Sequence, residues 1–214
     1  MPRFRWIGTL FLAWLLCAPM AAEAKDKGIE LTPQQAQAVE DVVTYFNSFT
    51  TLKGEFTQLA SSGNVSSGIV MISKPGKMRF EYAPPSPYVV VSDGRWVAVV
   101  NRNKKVGDQY PLATTPLRLL LAEKMNLRKN AVIKAVDMQD GLITMRLEDK
   151  DQMVSGELFL SFDSNNNALK QWIVIDGEGR RTTITLDKLV MDRPVDPALF
   201  VVDIARPTQK SSNK

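Results

Sequence analysis

From Leu52 to Leu186 the chain consists mainly of short segments in which apolar and polar residues alternate, with tight turns between them. Turn residues such as Gly63-Asn64, Pro75-Gly76 and Asp93-Gly94 separate these segments. Alternation with a period of two is typical of half-buried strands. Parallel neighbours need a long crossover, so connections this short predict antiparallel pairing. The pattern therefore favours a mainly β fold.

The alternating segments predict strands near residues 52–59, 65–73, 78–82, 88–92, 96–101 and 106–110, and then near 132–136, 142–148, 156–162, 169–175 and 182–186. A single antiparallel sheet of roughly ten or eleven strands is expected to curl, because every strand is twisted. We expect one strongly curved sheet without an internal repeat or a linker that divides it.

Two helices are predicted outside the strand pattern. Thr32 precedes Pro33, and Gln35 follows three residues after Thr32, which is the sequence of a helix N-terminus with a capping box. Thr115-Pro116 precedes a dense group of leucines, which predicts a short inserted helix with Thr115 as its cap. Both helices are expected to cover the concave face of the sheet.

The N-terminus has the features of a secretory signal. Arg3 and Arg5 precede an uncharged apolar run, and Ala22-Glu23-Ala24 offers a cleavage site with small residues. We predict a signal peptide at residues 1–24, a single domain at residues 25–208 and a frayed tail at residues 209–214. Cys17 follows Leu16, which is larger than the residue that normally precedes a lipidated cysteine, so Cys17 is assigned to the signal peptide.

The composition argues against several classes of function. The chain contains no histidine, which removes the usual general base and the commonest metal ligand. We therefore expect no catalytic residues, no metal site and no cofactor. The net charge is +4, and removing residues 1–24 leaves 25 basic and 22 acidic side chains, or +3. A charge this small does not favour nucleic acid as a partner.

One predicted strand has a notable apolar face. Met78, Phe80 and Tyr82 point to one side of it, and Lys77 and Arg79 point to the other. Such a face is either an ordinary core strand or one wall of a cavity, and alternation alone does not separate the two. The leucines of residues 117–121 leave the same choice between a buried helix and a lid.

Several short motifs occur in an order and at spacings that resemble a known family. They are Phe56-Thr57-Gln58, Lys74-Pro75, Arg79–Tyr82, Val91-Ser92-Asp93-Gly94 and Thr115-Pro116-Leu117. Together with the export signal, these motifs make the chain resemble the periplasmic outer-membrane lipoprotein carrier family (LolA). The resemblance extends over nearly the whole of the predicted mature chain.

The resemblance implies an incompletely closed antiparallel half-barrel, covered by short helices, that holds the acyl chains of lipoproteins in a hydrophobic cavity. Implied partners are acylated lipoproteins, an inner-membrane ABC exporter of the LolCDE type and an outer-membrane acceptor like LolB. The implied location is the periplasm, and the carrier is expected to be a monomer without enzymatic activity. Expected cavity residues are Phe46, Leu52, Phe80, Tyr82, Val90 and Trp96, and expected lid residues are Leu117, Leu120 and Leu121.

Lys74 stands where many family members carry an arginine, which implies that Lys74 is the latch between the sheet and the lid. A lysine lacks the planar fork of arginine, so the resemblance implies a looser latch. Arg79 is the alternative latch, although strand alternation places it on the opposite face. Two other functions remain open: a periplasmic regulator that senses lipids or lipoproteins (RseB-like), and a carrier of another lipid or glycolipid.

Overall fold

The computed structural model describes residues 28–202 and residue 204. The predicted signal peptide at residues 1–24 and the predicted tail at residues 209–214 lie outside these residues. So do Lys25 to Lys27, at the start of the predicted domain.

The described residues form one antiparallel sheet of eleven strands with a few short helices. The strands are β1 (Thr51–Leu59), β2 (Val65–Ser73), β3 (Lys77–Tyr82), β4 (Tyr88–Asp93), β5 (Trp96–Asn101), β6 (Val106–Pro111), β7 (Ala131–Gln139), β8 (Leu142–Asp149), β9 (Gly156–Asp163), β10 (Leu169–Asp176) and β11 (Arg181–Met191). The predicted strands are all present, and the mainly β, open-barrel fold class is confirmed. The period-two alternation is therefore a reliable signal along this chain.

The sheet consists of two meanders that join in the middle. The strand order is β6-β5-β4-β3-β2-β1-β11-β10-β9-β8-β7, so the first strand pairs with the last. In a simple meander β6 would pair with β7, but these two strands are the edges of the sheet. The barrel is therefore open between β6 and β7.

One ring contact shows how strongly the sheet curves. β3 and β10 are four strand spacings apart in the sheet, which would be about 19 Å on a flat surface. Nevertheless, the rings of Phe80 on β3 and Trp172 on β10 have their centroids 5.7 Å apart in an edge-to-face arrangement. The sheet must bend to bring them together, and this bend creates a concave face.

The N-terminal helix α1 (Pro33–Asn47) lies on this concave face. It begins with the predicted capping box, because Thr32 accepts from the Gln35 amide and the Gln35 side chain accepts from the Thr32 amide. Its buried residues include Val42 and Phe46, which are fully shielded from water and belong to the main apolar core. The helix is stabilised by burying this one face.

The segment between β6 and β7 provides the remaining cover. It contains a 3-10 helix at Leu112–Thr114 and two four-residue helices, α2 (Leu117–Leu120) and α3 (Leu127–Asn130). Thr115 does not cap α2 as expected. Its hydroxyl donates to the Leu112 carbonyl at 3.0 Å, because Thr115 ends the 3-10 helix that the sequence prediction lacked.

A smaller apolar cluster lies on the convex face. It consists of Val89, Val91, Ala98 and Val100, with Val202 and Ile204 packed against them. A 3-10 helix at Pro197–Phe200 comes just before Val202 and Ile204 in the chain. The end of the described chain therefore covers the outside of β4 and β5, while the main core lies on the inside.

Candidate functional site

The concave face contains an open pocket of about 390 Å³. This volume lies in the lower part of the range for small-molecule sites. Most of its wall is apolar and comes from both halves of the sheet and from α2. The apolar lining residues are Met78, Phe80, Val90, Val97, Val99, Leu117, Trp172, Val174 and Ile184.

Two aromatic rings of this wall, Phe80 and Tyr82, pack against Phe56 in the core. Phe56 lies edge-on to Phe80, with ring centroids 4.7 Å apart, and to Tyr82 at 5.1 Å. Gly68 makes room for this arrangement, because a Cβ atom there would lie 2.9 Å from the Phe56 ring and 2.0 Å from the Glu81 carbonyl oxygen. The motif Phe56-Thr57-Gln58 and Gly68 thus shape the same wall from adjacent strands.

Polar side chains lie at one end of the pocket. Gln58, Tyr82, Asp176 and Thr182 occupy the ends of their strands there. The Tyr82 hydroxyl donates to Gln58 Oε1 at 2.5 Å, and burial raises the pKa of Tyr82. The carboxylate of Asp176 accepts from the backbone amides of Glu178 and Arg180 and from the Arg180 side chain. The pocket is therefore apolar inside and polar at this rim.

The segment around α2 contributes one residue to the wall of the pocket. Leu117 is half-buried and lines the pocket, whereas Leu120 and Leu121 are completely buried in the core. Arg118 projects from the same short helix and makes a two-pronged ion pair with Asp149 at the end of β8. The hydrogen bonds to Asp149 raise the pKa of Arg118, so the guanidinium stays charged.

The acidic turn after β8 contains a buried carboxylate. With Lys150 among Glu148, Asp149 and Asp151, the local sequence favours a solvated turn, but the side chain of Asp149 is 0% exposed. Asp149 Oδ1 also accepts from the Asp151 amide, and Asp151 lies 3.6 Å from Arg118. Sequence reasoning missed this contact because Arg118 and Asp149 are 31 residues apart on unrelated elements.

Lys74 makes contacts other than those expected of a lid latch. Its ammonium donates to the Phe46 carbonyl at the C-terminus of α1 and lies 4.1 Å from the centroid of the Phe49 ring. Burial lowers the pKa of Lys74 from 10.5 to about 8, and nearby Asp192 opposes that shift. Lys74 therefore ties the sheet to α1, and not to α2.

A backbone hydrogen bond ties the segment around α2 to the turn that follows Lys74. The Gly76 amide donates to the Leu121 carbonyl at 2.8 Å, and the Ser92 hydroxyl donates to the Gly76 carbonyl at 2.7 Å. Gly76 has a φ of +76°, and a Cβ there would lie 2.6 Å from Gly94 Cα. Arg79 does not replace Lys74, because it donates to the Leu199 carbonyl at 3.0 Å beside the convex face.

The structure brings together part of the predicted site. Phe80, Tyr82, Val90 and Leu117 line the open pocket. Phe46, Leu52, Leu120 and Leu121 are in the neighbouring core and are 0–1% exposed.

Trp96 is not brought to the pocket, which corrects its expected place as a cavity residue. It alternates with Val97, which lines the pocket, and so shares the convex face with Ala98 and Val100. The expectation for Trp96 followed from the family resemblance, and alternation along β5 overrides it.

The wall from β10 and β11 was not predicted as part of the site. Trp172, Val174 and Ile184 belong to segments that the sequence correctly predicts as strands. Their alternation indicates an apolar face, and Trp172 is the largest fully buried side chain. Only the pairing of β1 with β11 places this face opposite Phe80.

A larger depression of about 770 Å³ lies around β1, β2, β3 and β11. Its lining includes Glu55, Glu81, Arg102 and Asp187, which are charged side chains at positions that alternate with the concave-facing residues. Such a surface is hydrated and suits no acyl chain. The smaller, apolar pocket is the better candidate site.

Two further findings concern the residues that the structure describes. Within residues 28–202 and 204, no group of three or more acidic, cysteine or histidine side chains is placed to hold a metal ion. No helix in that part of the chain is both long and apolar enough to span a membrane.

The family model for outer membrane lipoprotein carrier protein LolA matches residues 47–203. The chain belongs to the LolA family. The match runs from the last residue of α1 through every strand of the sheet, and it includes the whole lining of the concave pocket. The resemblance expected from the sequence motifs is thereby confirmed.

Curated relatives agree with this assignment. The outer-membrane lipoprotein carrier protein of Methylococcus capsulatus is 29% identical over 209 residues, which cover 94% of this chain and 93% of that protein. The protein of the same description from Chromohalobacter salexigens is 28% identical over 211 residues, 95% of each.

Solved structures are more distant. A LolA superfamily protein from Nitrosomonas europaea aligns with a TM-score of 0.45 at 10% identity, covering 80% of this chain and 98% of that one. A DUF1329 family protein from Desulfovibrio piger aligns with a TM-score of 0.47 at 11% identity, covering 78% and 95%. At these scores the likeness says nothing about function.

Proposed function

We propose that this LolA-family protein is a periplasmic carrier that holds the acyl chains of lipoproteins in its concave pocket. It receives them from an inner-membrane ABC exporter of the LolCDE type and passes them to an outer-membrane acceptor like LolB. The observation that carries the proposal is the apolar pocket between β3, β10 and α2, with a polar rim at one end. The two curated relatives, which match this chain over almost its whole length, are both described as outer-membrane lipoprotein carrier proteins.

The energetics of an acyl chain explain why such a pocket is needed. Removing each methylene group from water is worth about 0.8 kcal/mol. A free lipoprotein therefore stays in its membrane or aggregates. A pocket lined by Phe80, Trp172 and Leu117 offers apolar contacts that replace those of the membrane. Carriage across an aqueous compartment follows from this exchange.

The cover of the pocket suggests how a ligand of more than one chain is accommodated. Leu117 lines the pocket, while the next leucines of the same segment fill the core beside it. Displacing α2 would open the space that Leu120 and Leu121 now fill and join it to the pocket. The lid thus exchanges its own apolar contacts for those of the ligand, which keeps binding reversible.

The location and the assembly state are part of the same proposal. The predicted signal peptide at residues 1–24 would direct the protein to the periplasm, and residues 25–208 would form the mature carrier domain. We propose that it acts as a monomer. Catalysis has no place in this function, since binding and release require no covalent step and the chain has no histidine to act as a general base.

The test is a release assay. The mature protein, from Lys25 onward, is added to spheroplasts of its host, and the medium is analysed for a newly made lipoprotein in complex with it. Release of the soluble complex supports the proposal. A folded protein that releases no lipoprotein contradicts it, and native mass spectrometry then identifies whether another lipid is bound.

A pair of variants links release to the pocket. Val90→Lys places an ammonium in the pocket lining and should abolish release. Val65→Lys makes the same change at an exposed position of β2, beside Leu59, and should release lipoproteins as well as the wild type. Equal activity of both variants would show that the pocket is not the binding site.

A further inference from the structure

The pocket changes character along the direction of its strands. Tyr82 is the last residue of β3, Asp176 is the last of β10, Gln58 is the penultimate residue of β1, and Thr182 is the second residue of β11. β1, β3 and β10 run in one direction and β11 runs in the other, so these four positions lie at the same end of the sheet.

Two residues further from these strand ends, the side chains on the same face are apolar. On β3 the step from Tyr82 leads to Phe80, and on β11 the step from Thr182 leads to Ile184, which pairs with Gln58 and with Trp172. A ligand with an apolar chain and a polar head is therefore favoured in one orientation. The reverse orientation would place the head against Phe80 and Trp172, where its polar atoms would lose their hydrogen bonds.

Gln58 differs from Asp176 at the rim in its free hydrogen-bonding capacity. Its Oε1 accepts from the Tyr82 hydroxyl, which fixes the orientation of the amide. Its Nε2 donates to no residue in the part of the chain that the structure describes. The carboxylate of Asp176, in contrast, already accepts from two backbone amides and a guanidinium of its own turn. The half-buried Gln58 amide thus presents oriented donors to the pocket.

We propose that the Gln58 amide donates a hydrogen bond to the carbonyl oxygen of the ester or amide that joins an acyl chain to its polar head. Gln58 is then the residue that distinguishes an acyl group from plain hydrocarbon and sets the depth at which the chain stops. Tyr82 is a positioning residue, since it acts by holding the Gln58 amide. The proposal rests on the proposed function, because it requires that the pocket hold acyl chains.

The experiment compares two probes, the methyl ester of a saturated fatty acid and the n-alkane of the same chain length. Each displaces a fluorescent fatty acid from the mature protein, and affinities are measured for the wild type and for Gln58→Met. The variant should bind the ester about three- to tenfold more weakly, the range for one hydrogen bond, and bind the alkane unchanged. Gln171→Met is the matched control, because Gln171 bonds to Thr185 outside the pocket.

A second variant keeps the contact with Tyr82. Gln58→Glu retains an oxygen that accepts from the Tyr82 hydroxyl but removes the amide donor, so its affinity for the ester should also fall while its thermal unfolding stays close to that of the wild type. Equal losses for ester and alkane, or no loss for either, would overturn the role of Gln58 and leave the carrier function intact. If the wild type binds neither probe, both the inference and the proposed function fail.

Discussion

Two cationic side chains, Lys74 and Arg118, connect the helical cover to the sheet, and the two helices concerned differ greatly in length. Helix α1 has fifteen residues and buries an apolar face that includes Val42 and Phe46, and Lys74 adds a hydrogen bond to its last turn. Helix α2 has four residues, and Arg118 ties it to the buried carboxylate of Asp149. Packing of a long apolar face therefore dominates the attachment of α1. The shorter α2 segment, which also bonds to Gly76 through the Leu121 carbonyl, depends more strongly on its ion pair.

Among the variants compared, Arg118→Ala should cause the largest loss of stability. The variant leaves the carboxylate of Asp149 buried without its guanidinium partner, and the free energy of unfolding should fall by about 2–3 kcal/mol. The loss is below that of a fully buried pair because Arg118 is itself 31% exposed. Urea unfolding followed by circular dichroism measures it.

Arg146→Ala is the matched control for this measurement. Arg146 makes the same kind of pair with Glu157, but on the surface, where such a pair contributes about 0–1 kcal/mol. If the two arginine variants lost equal stability, Arg118 would be an ordinary surface residue and the contrast between the two ties would disappear.

Lys74→Met should have a smaller effect on stability. It removes a hydrogen bond to the Phe46 carbonyl and a cation placed over Phe49, but the burial of α1 remains, so about 1 kcal/mol is expected. Lys53→Met, at an exposed position of β1, serves as the control and should unfold like the wild type. A loss as large as that of Arg118→Ala would mean that Lys74, and not packing, holds α1.

Lys74→Arg tests whether this contact also controls transfer of the ligand. A guanidinium makes more directed hydrogen bonds than an ammonium, so α1 should be held more firmly and lipoprotein transfer to outer-membrane vesicles should slow. A gain of about 1 kcal/mol corresponds to roughly a fivefold change in rate. Transfer at the wild-type rate would contradict a latch role for residue 74.

The lowered pKa of Lys74 also predicts that stability depends on pH. The pKa of Lys74 is about 8 in the folded protein and 10.5 as an ordinary lysine, so between these values the unfolded chain binds the proton that the folded chain has lost. Stability should therefore rise with pH in this window relative to Lys74→Met. Unfolding curves of both proteins at several pH values test this, and parallel curves would show that the ammonium is not desolvated.

Much of the local structure could be predicted from the sequence. The capping box at Thr32 and Gln35 is a contact between neighbours in the chain, and the structure confirms it. The strands followed from alternation, except that β7 runs to Gln139 and not to Val136, and β11 runs to Met191 and not to Leu186. The last residues of β11 lose the clear alternation because the register with β1 shifts between Lys53 and Glu55.

The candidate site was predicted only in part. Phe80, Tyr82, Val90 and Leu117 line the pocket, and all but Leu117 lie on strands of the first half of the sheet, where family motifs mark the wall. Trp172 and Ile184 carry no such motif, so their role depended on knowing which strands face each other. The local sequence favours a solvated Asp149, because nothing near it in the chain indicates that Arg118 is its partner.

The sequence by itself determined the strands, the turns and the first helix, since each depends on residues within a few positions of one another. It also determined the family, through short motifs in a fixed order. Only the tertiary structure decided that β1 pairs with β11, that Phe80 meets Trp172, and that Arg118 reaches Asp149. These contacts join residues far apart in the chain, and they form only when burial of the common core bends the sheet.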